Sequence, residues 1–321
     1  MSATAEARNA SGTRPTTVSA PSRSIWRQLW RDRWMYLLML PGLLYFILFH
    51  YVPMLGNVVA FQDYSPFLGF WRSPWVGWDN FRALLGDPDV ANALRNTLII
   101  NVIVLVVAFP AAISLALVLN SLLNERIKRL LQSVLYLPHF LSWVIVISIW
   151  QELFGGAGFV NQVTRAQGLP GIDIMTNPDF FKFLVAIQYI WKEVGWDSIL
   201  ILAALTTIDP TLYEAAALDG AGPWQRLLAV TLPGIRGVVL LLLILWLGTF
   251  LTTGFEQFYL QRNAVGAQAA EVLDTFTYFR GVRGGDWGLA AAVGLLKGVF
   301  GAIVIFSANA LAKRFGEEGV F

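Results

Sequence analysis

The chain contains no cysteine, which excludes a disulfide framework and a thiolate metal site while leaving the compartment open. Charge is scarce: Asp, Glu, Lys and Arg make up 14% of 321 residues, roughly half the share of an ordinary soluble domain. Histidine occurs twice, at His50 and His139. Neither has an acidic or second histidine partner at ligand spacing, so no metal role follows. A G-x-x-x-x-G-K-[ST] phosphate loop is also missing, so the chain has no nucleotide site of that kind.

What fills the sequence instead is apolar. Hydrophobic residues make up 56% of it, and six stretches reach the roughly 20 residues that a helix needs to cross a bilayer. They fall near 34–59, 94–119, 133–154, 183–206, 238–260 and 288–312. The expected fold is therefore an all-α polytopic membrane protein with about six transmembrane helices. Lysine and arginine set its orientation. Arg8, Arg14, Arg23, Arg27, Arg31 and Arg33 lie on one side with Arg126, Lys128, Arg129, Arg226, Arg236, Lys313 and Arg314. The opposite loops carry Arg72, Arg82, Arg165, Arg262, Arg280 and Arg283. The first side reads as cytoplasmic, with both termini and the loop around Glu214 on it.

Residues 1–24 are rich in Ser, Thr, Ala and Pro without an apolar run, and read as a disordered cytoplasmic tail, not a cleavable signal peptide. Residues 25–321 form the membrane domain. Its segment 25–31 reads as a short amphipathic helix on the inner surface or as a plain stop-transfer flank. The loop 61–90, studded with Trp71, Trp75, Trp78 and three prolines, is too broken to span. Its aromatics suit the membrane interface or contact with an extracytoplasmic partner.

The loop 209–236 is the most specific feature. Asp209-Pro210 gives an N-cap followed by a proline where a missing N–H costs nothing. Gly220 can take the left-handed conformation that ends the first short helix, Gly222-Pro223 restart the chain, and Pro233 is expected to stop the second helix after Leu232. Ala215 and Ala216 allow close approach to another surface, and Glu214 offers it one charge. The reading is a helix–turn–helix knob for a partner on the cytoplasmic side.

That string resembles the EAA motif of ABC importer permeases: E-A-A, three residues, G, nine residues, I, one residue, L-P. Glu214, Ala215, Ala216, Gly220, Leu232 and Pro233 match, and Val230 replaces the isoleucine. Asp219 lies within the same docking turn. The runs 34–41, 57–70, 136–143 (Y-L-P-H-F-L-S-W), 191–196 (W-K-E-V-G-W) and 231–237 (T-L-P-G-I-R-G) look like the oligosaccharide branch typified by LplB and, more distantly, MalF. The resemblance implies a type I ABC importer permease fold in a bacterial inner membrane. It implies half of a pore, a second and different permease subunit, two ATP-binding cassette ATPase subunits, an extracytoplasmic solute-binding protein and an oligosaccharide substrate, with no nucleic acid. Glu214 to Pro233 would insert into the ATPase, which would bind ATP and Mg²⁺. This chain would need no cofactor and would not itself be an enzyme.

Ionisable groups inside the spans cost a few kcal/mol each unless they face protein or water. Lys192, Glu193 and Asp197 fall in the fourth span, Glu256 near the outer end of the fifth, and Lys297 midway along the sixth. Sugars present C–H faces to aromatic rings and hydroxyls to charged groups. Tyr189, Lys192, Glu193, Trp196, Glu256 and Lys297 are accordingly candidates for the substrate path. The competing reading is a packing ion pair such as Glu193 or Asp197 with Lys297, or a fourth span that begins only near Trp191 and leaves Lys192 snorkelling. Trp143, Trp150, Trp246 and Phe250 are further pore aromatics or plain packing residues. Two other function classes stay open: an ion-coupled secondary transporter, for which no inverted repeat is evident, and a membrane enzyme on lipid or glycan. For the latter, Asp63, Asp79, Asp87 and Asp89 are scattered and do not converge.

Overall fold

The computed structural model describes residues 30–314. The expected tail 1–24 and most of 25–31 lie outside them. Among the described residues the protein is helical, with a single antiparallel bridge between Gln62 and Trp75 and no strand. Five helical runs are long and apolar enough to cross a membrane. A sixth joins them when Phe181–Leu205 and Pro210–Leu218, bent by 71° at a short break, are taken together. Phe181–Leu205 needs that allowance because it carries Lys182, Lys192, Glu193 and Asp197.

The chain divides into two compact units between Gly56 and Asn57. In the first, α1 (Arg33–Phe46) continues through a π-turn at Ile47–Tyr51 into Val52–Met54. Every residue from Arg33 to Leu55 is exposed, although the segment is apolar on all sides, as suits a lipid-facing helix.

In the second unit, α2 (Asp79–Gly86) leads into α3 (Pro88–Ser121), a 34-residue helix about 50 Å long at 1.5 Å per residue. Then come α4 (Glu125–Tyr136), α5 (Trp143–Phe154), α6 (Phe159–Ala166) and α7 (Phe181–Leu205). They are followed by α8 (Pro210–Leu218), α9 (Pro223–Arg226), α10 (Leu232–Gly248), α11 (Phe255–Val265) and α12 (Trp287–Arg314). The core is α3 against α7. Ile100, Val104, Ala108, Ala112 and Ala116 recur every four residues and bury their stripe beside Phe181, Leu184, Val185, Ile201 and Leu205. Between helices in lipid, association comes from packing and hydrogen bonds more than from expelling water, so small side chains that admit a close neighbour matter.

Three buried glutamines fasten α11 to α7. Gln257 and Gln261 each donate to Gln188 Oε1 at 3.0 Å, and Gln188 donates to Gln261 Oε1 at 3.1 Å. Replacing Gln188 by leucine leaves Gln261 Oε1 without its donor and removes one of the two bonds made by each of the Gln257 and Gln261 amide nitrogens, which keep Val185 O and Gln257 O. It should destabilise the purified protein by about 1–3 kcal/mol, read as a lowered unfolding midpoint in detergent. An unchanged midpoint would mean that the glutamine cluster does not fasten these helices.

The structure corrects several sequence expectations. The third span does not start at 133: amphipathic α4 ends at Tyr136, a 3-10 turn covers Leu137–Phe140, and Ser142 caps α5 by accepting from the Ile145 N–H. The fifth span ends at Gly248, not 260, because residues 249–254 leave the helix and Gly254 adopts φ +82°. Pro233 does not stop a helix either. A π-turn at Leu227–Thr231 closes with Leu232 N–H bonded to Leu227 O, and the helix then runs through the proline. A wider turn removes both the need for the missing N–H and the ring clash with the preceding turn. Pro53 follows its own π-turn in the same register, with Val52 N–H bonded to Ile47 O.

The loop 61–90 forms an aromatic cluster: Trp75 stacks on Phe61 at 5.7 Å, and Trp78 meets it edge-on at 5.4 Å. Trp71 and Phe67 remain almost fully exposed.

Candidate functional site

The docking turn is built from local rules. Asp209 accepts from the Thr211 N–H at 2.9 Å, and that bond holds its carboxyl below the usual carboxylate range. At the other end of α8, Gly220 has φ +77°. Ala221 N–H bonds to Ala216 O at 2.9 Å and Gly220 N–H to Ala217 O at 3.1 Å, the paired bonds of a Schellman cap. Gly222 N–H then bonds to Gln225 Oε1, and Arg226 Nε donates to Ala221 O at 2.8 Å. Glu214, Ala215, Leu218, Asp219 and Trp224 are exposed, and Ala216 is half-buried. Leu232 is half-buried against the main core, and Pro233 is exposed. Tyr213 Oη, 3.1 Å from Thr231 Oγ1, pins α8 to the π-turn. Sequence reasoning passed over Tyr213, Thr231, Gln225 and Arg226, whose roles depend on contacts up to 18 residues away.

Midway along α7 lies a cavity of about 300 Å³ lined by Asn101, Trp143, Tyr189, Glu193, Trp246 and Thr252 among others. A second space of about 390 Å³, more apolar and including Trp196 and Asp197, shares Val104, Tyr189 and Trp246 with it as a common wall. Tyr189, Glu193 and Trp196 are thus gathered here. Asn101 is buried, and its Nδ2 has no hydrogen-bond partner among the described residues. A lone amide within an otherwise apolar run was a signal available in the sequence.

The remaining candidates sit elsewhere. Lys192 is buried on an unbroken α7 and does not snorkel: its Nζ donates to Glu193 Oε1 at 2.7 Å and to His139 O at 2.9 Å. It also lies 5.4 Å from the Trp143 ring. His139, which the sequence assigned no metal role and at most a kink-capping one after Pro138, has Nδ1 2.6 Å from Glu193 Oε2 and its ring stacked on Trp196 at 4.2 Å. Gly195 permits this, since a Cβ there would overlap the Leu135 carbonyl of α4. Lys297 pairs with Asp274 at 2.5 Å, and Asp274 also accepts from Thr253; the packing ion pair exists, with a different partner from Glu193 or Asp197. Glu256 is exposed on α11 beyond the end of the fifth span, while its neighbour Gln257 lines the cavity. Trp143 and Trp246 line the cavity, whereas Trp150 and Phe250 pack against Phe154 and Trp246.

This arrangement does no covalent chemistry by itself. It offers a polar and aromatic space in the helical core, and an exposed turn at the end of the same helix. Residues 108–317 match the model of the family described as binding-protein-dependent transport system inner membrane component. The chain belongs to that family. The permease is 45% identical over 308 residues to Protein LplB of Bacillus subtilis, covering 96% of this chain and 97% of that one. It is 43% identical over 295 residues to the polygalacturonan/rhamnogalacturonan transport system permease YteP of the same organism, at 92% coverage of each. A bacterial alginate ABC transporter, solved with an alginate pentasaccharide-bound periplasmic protein, superposes with a TM-score of 0.84 at 33% identity, covering 92% of this chain and 99% of the other. The chain is thus an ABC importer permease, a multi-pass inner-membrane subunit without catalysis of its own.

Proposed function

We propose that this permease forms half of an oligosaccharide pore with a second, different permease subunit. Two ATPase subunits bind α8 from the cytoplasm, and an extracytoplasmic solute-binding protein delivers the sugar. Continuity carries this reading: α7 holds Tyr189 and Glu193 on the cavity wall and runs, through one 71° bend, into α8. A displacement of α8 by a closing ATPase dimer therefore reaches the cavity across one short break and then along α7 itself. Relatives named for polygalacturonan and alginate transport support a saccharide cargo.

In the cavity, Trp143 and Trp246 face C–H surfaces of the sugar, while Asn101, Tyr189 and Glu193 bond its hydroxyls. Lys192 and His139 act on the sugar only through Glu193, which they hold in place. The termini are cytoplasmic by the Lys and Arg asymmetry.

The test uses the absence of cysteine. A single Ala217→Cys on exposed α8 should cross-link to the partner ATPase in the assembled importer, and Arg72→Cys should not. Cross-linking from Arg72→Cys alone would refute the docking assignment. In whole cells a membrane-impermeant maleimide should label Arg72→Cys but spare Ala217→Cys until the membrane is opened. The reverse pattern would invert the topology.

A further inference from the structure

The ends of α3 and α7 remote from the docking turn carry a different chemistry. There Asn92, Arg95 and Asn96 of α3, Asp179 and Lys182 at the start of α7, and Gln268 after α11 line a recess of about 540 Å³. Several other cations in this unit are matched: Arg262 with Glu271 at 2.6 Å, Arg280 with Asp87 at 3.6 Å, Lys192 with Glu193 and Lys297 with Asp274. Arg95 and Lys182 are not. Neither makes an ion pair or hydrogen bond with any described residue, Asp179 in the same wall included, and the two repel each other. The neutral part of the wall is fixed, because Asn92 and Asn96 both spend a side-chain N–H on Gln268 O at 3.0 Å.

Asn92, Ala267 and Gln268 also line a neighbouring recess of about 570 Å³, where the Arg262 guanidinium lies 4.0 Å over the Phe279 ring. Two adjoining recesses, one with an aromatic wall and a guanidinium already paired with Glu271, the other with two uncompensated cations, suit a short polymer that presents ring faces to the first and negative charge to the second.

We propose that Arg95 and Lys182 form a carboxylate subsite at the extracytoplasmic mouth, which receives a uronate group of an acidic oligosaccharide. This deepens the functional reading above and rests on it for the side of the membrane. The guanidinium fork of Arg95 matches a carboxylate in two parallel bonds, and Lys182 adds a point charge. The deeper cavity is unsuited to holding a carboxylate, because Glu193 is acidic and the nearby lysine is already engaged by Glu193 and His139 O. Charge is read at the mouth and hydroxyls further in.

The assembled importer in lipid nanodiscs, without binding protein or ATP, separates this inference from the transport reading. Apparent Kd is measured by saturation-transfer NMR for trigalacturonate and for its carboxyl-reduced neutral counterpart. The parent should prefer the uronate by roughly tenfold, the scale of one charge-assisted contact. Arg95→Gln with Lys182→Gln should abolish the preference and leave the neutral sugar's Kd unchanged, while Arg95→Lys with Lys182→Arg should keep most of it. Equal affinities in the parent, or a preference that survives the glutamine pair, would overturn the subsite. So would a variant that loses both sugars alike. ATP-driven saccharide uptake by the parent would stand in each of those cases, as it is measured separately.

Discussion

Replacing Gly220 by valine is expected to lower ATP-driven uptake by the assembled importer about tenfold or more, while the membrane helices stay folded. Gly220 sits at φ +77°, where a β-branched side chain costs about 1–3 kcal/mol, and a tenfold population change corresponds to about 1.4 kcal/mol. The Schellman bonds from Ala221 and Gly220 to α8 depend on that conformation, as does the placement of Gln225 and Arg226 that closes the knob. A Cβ at Gly220 meets no atom within 4 Å, so the effect comes from backbone strain and not from crowding. Uptake and binding-protein-stimulated ATPase activity should fall together at normal assembly. Unchanged activity would separate Gly220 from coupling.

A second large effect belongs to Lys297. Its ammonium pairs with Asp274, both largely withdrawn from solvent, and Lys297→Met leaves a carboxylate with only Thr253 as donor. Losing one partner of a buried pair costs about 3–5 kcal/mol, whereas replacing both by apolar groups is often neutral or better. Lys297→Met alone should therefore cut the yield of assembled complex and lower its unfolding temperature, and adding Asp274→Leu should recover most of both. A single variant as stable as the parent would make Lys297 a candidate for the substrate path again.

Much of this was legible in the sequence because the governing forces are local or collective. Spanning a bilayer needs a long apolar run, so the number of spans could be read from hydropathy. The ends of α8 follow from Asp209, Pro210 and Gly220, whose conformational preferences act within a few residues. Charge partners were not legible: Lys297 meets Asp274 from 23 residues away and His139 meets Glu193 from 54 away, and nothing local selects those pairs over others. His139 lacks metal spacing, and that absence says nothing about a carboxylate brought to it by the fold. The fifth span was misjudged for a related reason. Residues 249–260 carry enough large apolar side chains to read as a continuation of the helix, yet the chain leaves it after Gly248, and the Thr253 N–H beyond the break is held by Asp274 from 21 residues away. Pro233 misled in the opposite direction, since a proline stops an α-helix unless one turn widens, and the sequence does not announce the widening at Leu227–Thr231.

The central claim is that this permease moves a saccharide by means of ATP hydrolysed on separate subunits, transmitted through α8. Its most direct test is uptake of a labelled oligosaccharide into proteoliposomes holding the complete importer, with the binding protein outside and ATP inside. Uptake should require ATP, the ATPase subunits and the binding protein, and should stop when a non-hydrolysable analogue replaces ATP. Uptake driven by a proton or sodium gradient across vesicles that lack the ATPase subunits would contradict the account.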